Sequence, residues 1–148
     1  DSALVTANIM YEDLSVLNVI SWQHWIAVSE VNYCDGLIYI NLDDKTFEMT
    51  KRYYVTGNFS KYVPAGSVCV DAACDDSELR LLAFKYDGGC AVIVINSTKK
   101  EKELSLPEQY SAVKSAVTDD NNNLCEYDIA DPEHIKITPK SVTTIILR

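Results

Sequence analysis

Hydrophobic and polar positions alternate with two different periods along this chain. Between residues 3 and 18 apolar side chains recur at helical spacing: Leu4, Ala7, Ile9, Met10, Leu14 and Leu17. Neither Gly nor Pro interrupts the run, and Glu12 and Asp13 fall on its solvated side. This spacing predicts an amphipathic helix. The next stretch, "VISWQHWIAVS", is dense in β-branched and aromatic residues and reads as a strand over residues 19–29. "DGLIYINLDDKTFEMTK" reads as a hairpin, two alternating runs joined by the polar tip Asp43-Asp44-Lys45. Helical spacing returns in "TKRYYVTGNFSKYV", through Tyr54, Val55, Phe59 and Tyr62, and Pro64 with Gly66 should stop it.

Beyond Gly66 the period becomes that of strands. "SVCVDAAC", "ELRLLAFKY", "CAVIVINS", "KEKELSL", "SAVKSAVT" and "SVTTIILR" are separated by Asp75-Asp76, Asp87-Gly88-Gly89, the polar residues 96–100 and 119–123, and Pro139. Short strands about ten residues apart predict an antiparallel β-sandwich. The expected fold is therefore mostly β, with residues 66–148 as a sandwich side domain. Residues 1–65 are a helix, strand, hairpin and helix. A strand flanked by two helices cannot bury its own surface, so this first part reads as the last β/α unit of an incomplete (β/α)8 barrel.

Composition narrows the possible partners. The 148 residues carry a net charge of -9 with no clustered Lys or Arg, so the phosphate backbone of nucleic acid and anionic membrane surfaces are disfavoured. No apolar run is long enough to span a bilayer. The chain opens "DSALVTANIM", without a signal peptide, and begins without Met, which suggests a cut chain. Five cysteines, an odd number, match no zinc spacing. Reduced and mostly buried thiols are expected, with a Cys69–Cys74 bridge as the alternative across a tight turn. No cofactor or metal is implied.

Candidate chemistry concentrates around the two tryptophans, which lie three residues apart. On a strand they point to opposite faces. Trp22 shares a face with Ile20, His24, Ile26 and Val28, a bulky apolar set suited to packing under helices. Trp25 shares its face with Ser21, Gln23, Ala27 and Ser29, a small or polar set suited to a cavity. An aromatic ring there can stack on the C–H face of a sugar; the competing reading is that both rings are core. His24 reads as a packing residue. Glu12 and Asp13 are helix neighbours that diverge by about 100° and cannot flank one bond. Glu30 and Asp35 lie near the strand's C-terminal end, where Asp35-Gly36 reads as a turn.

Together, "DLSVLNVISWQHWIAVSEVNYCDGLIYI", "KRYYVTGNFSKYVPAGSV", "TDDNNNL" and "PKSVTTIIL" resemble the C-terminal portion of glycoside hydrolase family 30. That group includes endo-xylanases, endo-β-1,6-galactanases and glucosylceramidases. The resemblance covers essentially the whole chain. It implies a retaining hydrolase of β-linked polysaccharide or glycoside, built as a barrel with an attached sandwich. It also implies that the catalytic glutamate pair lies on barrel strands preceding Asp1, so that this segment alone is inactive. Trp25 becomes a wall of a sugar subsite, with Asn32 and Tyr33 in the following loop, and Trp22 packs behind. "DGLIYI" favours the xylanase and galactanase side over glucosylceramidase. Implied partners are carbohydrate and the remainder of the barrel, and the parent protein is expected to be extracellular or secreted.

Two features depart from the family pattern. "KYVPAGSV" has Ala65 where the family has Pro, with no preceding Arg, at the junction between barrel and sandwich. The family's sandwich is also completed by a strand from before the barrel, so an exposed edge open to self-association is expected. The alternative function is a non-catalytic carbohydrate-binding or structural sandwich module. Its sandwich has no Trp, and Tyr86, Tyr110 and Tyr127 are dispersed, which favours a buttress over an independent binder. Asn58-Phe59-Ser60 and Asn96-Ser97-Thr98 match the glycosylation triplet.

Overall fold

The computed structural model describes residues 2–107 and 109–148. The first helix, α1 (Ser2–Ser15), is shorter than its apolar spacing suggests. Its C-terminal turn unwinds through Asn18, which adopts φ 52°, a left-handed conformation that short polar side chains tolerate. The expected strand over residues 19–29 is corrected: only β1 (Val28–Ser29) forms a ladder, parallel to β2 (Ile38–Asn41). A strand needs neighbours to accept and donate its backbone bonds, and among the described residues only β2 lies alongside. The hairpin forms as expected, with β2 antiparallel to β3 (Thr46–Met49). At its tip Asn41 Oδ1 accepts from the amides of Asp43 and Asp44, at 3.0 and 3.1 Å. The second helix, α2 (Lys51–Ser60), stops ahead of Pro64.

Downstream come β4 (Val68–Val70), β5 (Leu79–Tyr86), β6 (Gly89–Asn96), β7 (Lys102–Leu104), β8 (Ala112–Thr118), β9 (Cys125–Asp128), β10 (Ile135–Ile137) and β11 (Ser141–Leu147). Six of them build one antiparallel sheet in the order β4-β5-β6-β11-β8-β9, and β7 pairs with β10 in a second sheet. β9 and β10 were not among the runs picked out by period. Cys-Glu-Tyr-Asp has almost no apolar signal, and Ile-Lys-Ile is only three residues long. The β5–β6 turn places Gly88 at φ 82°, where a side chain would be strained.

The central strands of the six-stranded sheet are buried on both faces, and strict alternation distributes their side chains. Leu82, Phe84, Ile93, Ile95 and Val142 face α1 and α2, packing with Ala3, Ala7, Met10, Val55 and Phe59. Ala83, Val92, Val94, Ile145 and Leu147 face the second sheet, packing with Leu104, Ile135 and Ile137. The sandwich thus has a helical layer on its other side. The two-stranded sheet leaves part of the face open. A groove of about 590 Å³ runs beside it, lined among others by Leu81, Val92, Leu104 and Leu106. At the edge of the large sheet, Val68, Cys69 and Val70 of β4 are all exposed.

Buried polar groups tie the layers together. Asn58 of α2 is fully buried, donating to Ala116 O at 2.9 Å and to Thr144 Oγ1 at 3.1 Å, while the Thr144 hydroxyl donates to Asn58 O. Asn96 Nδ2 reaches Lys100 O and Thr138 O, each at 2.9 Å. Both glycosylation triplets therefore present an asparagine sealed in the folded core. The ammonium of Lys51 caps the loop after β8, donating to the carbonyls of Asp119 and Asn122 and to Asn123 Oδ1. All five cysteines are free, as the leading expectation had it, but their expected burial is corrected: Cys34 and Cys69 are exposed, and the other three are half-buried. Cys69 lies on an edge strand and Cys74 in the loop beyond it, so neither is sealed in the core.

Candidate functional site

The segment before β1 has little ladder to hold it, yet its side chains still alternate. Trp22, His24 and Ile26 are half-buried, while Gln23, Trp25 and Ala27 are exposed. Trp22 is fastened inward: its Nε1–H donates to Asp13 Oδ2 at 2.9 Å, and its ring lies 5.9 Å from that of His24. His24 Nε2–H in turn donates to Asp35 O at 2.6 Å, so this histidine is a bonded packing residue. Trp25 is 81% exposed, and the Trp25–Ile26 peptide is cis.

Asn32 and Tyr33 occupy the loop between β1 and β2. Asn32 Oδ1 accepts from Cys34 N at 2.9 Å, an Asx turn that engages the oxygen end of the side-chain amide. Ser29 Oγ closes the preceding turn by donating to Val31 O. Cys34 takes φ 61°, and Tyr33 is 76% exposed. All three candidate residues are exposed to solvent, Trp25 before β1 and Asn32 and Tyr33 after it.

The base of this loop is held far more firmly than its tip. Tyr39 of β2 folds back so that its Oη accepts from the amides of Asp35 and Gly36, at 3.0 and 2.9 Å. A Cβ at position 36 would come within 2.8 Å of the Tyr39 ring, which explains the glycine. Arg52 of α2 is buried and donates through Nε and Nη2 to Gly36 O, at 3.2 and 2.8 Å. The same guanidinium reaches Tyr39 Oη at 3.2 Å and Ser2 Oγ at 2.7 Å. Sequence reading missed Arg52 and Tyr39, since nothing in their local pattern distinguishes them from a solvated cation and a strand aromatic.

Other clusters of ionisable groups are structural. Lys102 joins Asp76 at 2.8 Å, with Glu78 on its other side. Glu126 accepts from Lys61 and Tyr62, which hold its carboxyl at a pKa of about 2. No group of three or more His, Cys, Asp or Glu residues is disposed to hold a metal among the described residues. No helix among them is long and apolar enough to cross a membrane.

The fold so defined is a helix-capped antiparallel sandwich with an exposed aromatic loop region, and it has known counterparts. The family model described as O-Glycosyl hydrolase family 30 matches residues 1–39. The lysosomal acid glucosylceramidase of Mus musculus is 28% identical over 79 residues, covering 52% of this chain and 15% of that protein. A conserved exported protein from Bacteroides fragilis superposes with a TM-score of 0.86 at 22% identity, over 98% of this chain and 33% of its own. Xylanase C of the same family, from Talaromyces cellulolyticus, gives 0.85 at 19% identity, over 99% and 35%. A subfamily 8 xylanase from Clostridium acetobutylicum gives 0.79 at 21%, over 98% and 38%. The chain therefore resembles the C-terminal portion of glycoside hydrolase family 30 in sequence motifs, and its fold is shared along nearly its full length. It spans about a third of those solved chains.

Proposed function

We propose that this chain forms the C-terminal segment of a retaining glycoside hydrolase acting on β-linked polysaccharide or glycoside, of xylan or galactan type rather than glucosylceramide. In this reading residues 1–65 supply the closing unit of a (β/α)8 barrel, and residues 66–148 form its supporting sandwich. The glutamate pair that breaks the bond lies on preceding barrel strands. Trp25 forms a wall of a sugar subsite, stacking on the apolar face of a pyranose, and Asn32 and Tyr33 contribute hydrogen bonds to sugar hydroxyls from the following loop. The parent enzyme works outside the cell, in keeping with the exported fold relative.

The observation that carries this reading is the contrast between the two tryptophans. Trp22 is bonded and packed, while Trp25 leaves four fifths of its surface in water. An exposed indole of that area offers a flat apolar face on which a pyranose can stack. Val5, Ile9, Val16 and Leu17, exposed on and just after α1, support the missing-barrel part of the reading.

The test has two arms. The chain alone should show no turnover of aryl β-glycosides, xylan or β-1,6-galactan; measurable hydrolysis would remove the claim that the carboxylates lie elsewhere. In the intact enzyme, Trp25→Ala should raise KM or lower kcat by ~10-fold or more, in line with ~1–3 kcal/mol for a stacked aromatic contact. An unaltered kcat/KM takes Trp25 out of the site.

A further inference from the structure

We infer that Tyr39 and Arg52 are positioning residues for the sugar loop, setting substrate affinity without touching substrate; this rests on the subsite reading above. The loop carrying Asn32 and Tyr33 leaves β1 at Ser29 and enters β2 at Ile38, and its exposed tip has only short-range turns to hold it. Its base is fixed at Asp35 and Gly36 and, next to them, at Leu37, which bonds Ile26 and Thr50. The Asp35 and Gly36 amides donate to Tyr39 Oη, Asp35 O accepts from His24, and Gly36 O accepts from Arg52 and, at 3.3 Å, from Thr50 Oγ1.

Arg52 is the unusual member. Arg52 is only 7% exposed as a residue, a buried guanidinium is costly, and here its acceptors among the described residues are all neutral: the Gly36 carbonyl, the Tyr39 phenol and the Ser2 hydroxyl. It completes no ion pair among the described residues. What it does is lock three pieces of chain together: the start of α1, the Tyr39 ring and the loop base. Its planar fork also fixes where Tyr39 Oη sits, and that oxygen fixes the direction of two consecutive peptide N–H groups. Loss of this lock lets the tip swing, so that Asn32 and Tyr33 meet the sugar in fewer of their conformations. The bond-breaking groups are elsewhere, so the effect falls on KM.

Tyr39→Phe keeps the ring over Gly36 and deletes only the oxygen. In the intact enzyme it should raise KM for oligosaccharide about five- to tenfold with kcat within about twofold. Arg52→Met should do the same, and Arg52→Lys should recover part of the loss. Independently of activity, hydrogen exchange in Tyr39→Phe should accelerate at residues 31–36 and leave β6 and β11 as protected as in the parent chain. Unchanged KM and unchanged exchange in Tyr39→Phe would overturn the inference while leaving the subsite reading intact, provided Trp25→Ala still raises KM. Should Trp25→Ala and Tyr33→Ala both leave KM unaltered, the subsite reading itself fails and takes this inference with it. Faster exchange spread over the whole chain, in Tyr39→Phe and Arg52→Lys alike, would make both residues merely structural.

Discussion

Glu126 shows how a single side chain on an edge strand can couple the helical layer to the sheet. Its Oε1 accepts from Lys61 at 2.8 Å and from Tyr62 at 2.9 Å, and Lys114 approaches Oε2. The Lys61 bond, then that of Tyr62, pulls the carboxyl from its ordinary 4.5 down to about 2. A carboxylate with a depressed folded pKa stabilises the fold fully above its unfolded value and loses that contribution as pH falls toward the folded one. The stability gap between the parent chain and Glu126→Gln should therefore be constant at neutral pH and close between about pH 4.5 and 2, read as urea midpoints across pH. A gap that ignores pH would show the cluster to be energetically silent. Because the groups are solvent-exposed, the contribution is small and screened by salt.

Among the elements, β6 lies between β5 and β11 in the large sheet and, like both, feeds both cores. Ile93 and Ile95 enter the helix-facing cluster, and Val92 and Val94 enter the sheet-facing one. Ile93 has no exposed surface and lies at Leu82 in the β5 register and Thr144 in that of β11. Ile93→Ala should cost ~2–5 kcal/mol in chemical denaturation, the range for a large-to-small change in a packed core that cannot collapse around the hole. A loss under ~1 kcal/mol would mean that α1 and α2 settle onto the sheet to fill it. The short β-branched run in "CAVIVINS" identified this strand from sequence, because a continuous apolar run bounded by turn residues is a local signal. It could not say which elements cover each face, since that depends on what lies across from each.

For the whole molecule, the question is whether the helical portion and the sandwich stand as separate bodies. Composition and period change at Gly66, and the sequence reading puts a boundary there. Yet α1 and α2 contribute five residues to the same buried cluster as β5, β6 and β11, and Asn58 bonds across to Ala116 and Thr144. Folding of the chain by itself should then be a single cooperative transition, with tryptophan fluorescence and far-UV circular dichroism melting together. Fluorescence melting ahead of dichroism would restore two independent bodies. What the sequence determined by itself was the kind of each longer element and the opposite orientation of Trp22 and Trp25, since local periodicity writes the buried face directly into residue order. The family resemblance likewise came from ordered short motifs. Only the tertiary structure decided that residues 19–27 go largely unpaired, that β7 finds β10, that Asn58 and Asn96 are sealed inside, and that Arg52 locks the loop base. Each of these depends on a partner tens of residues away along the chain, and burial or pairing set by such partners leaves no mark on the local pattern.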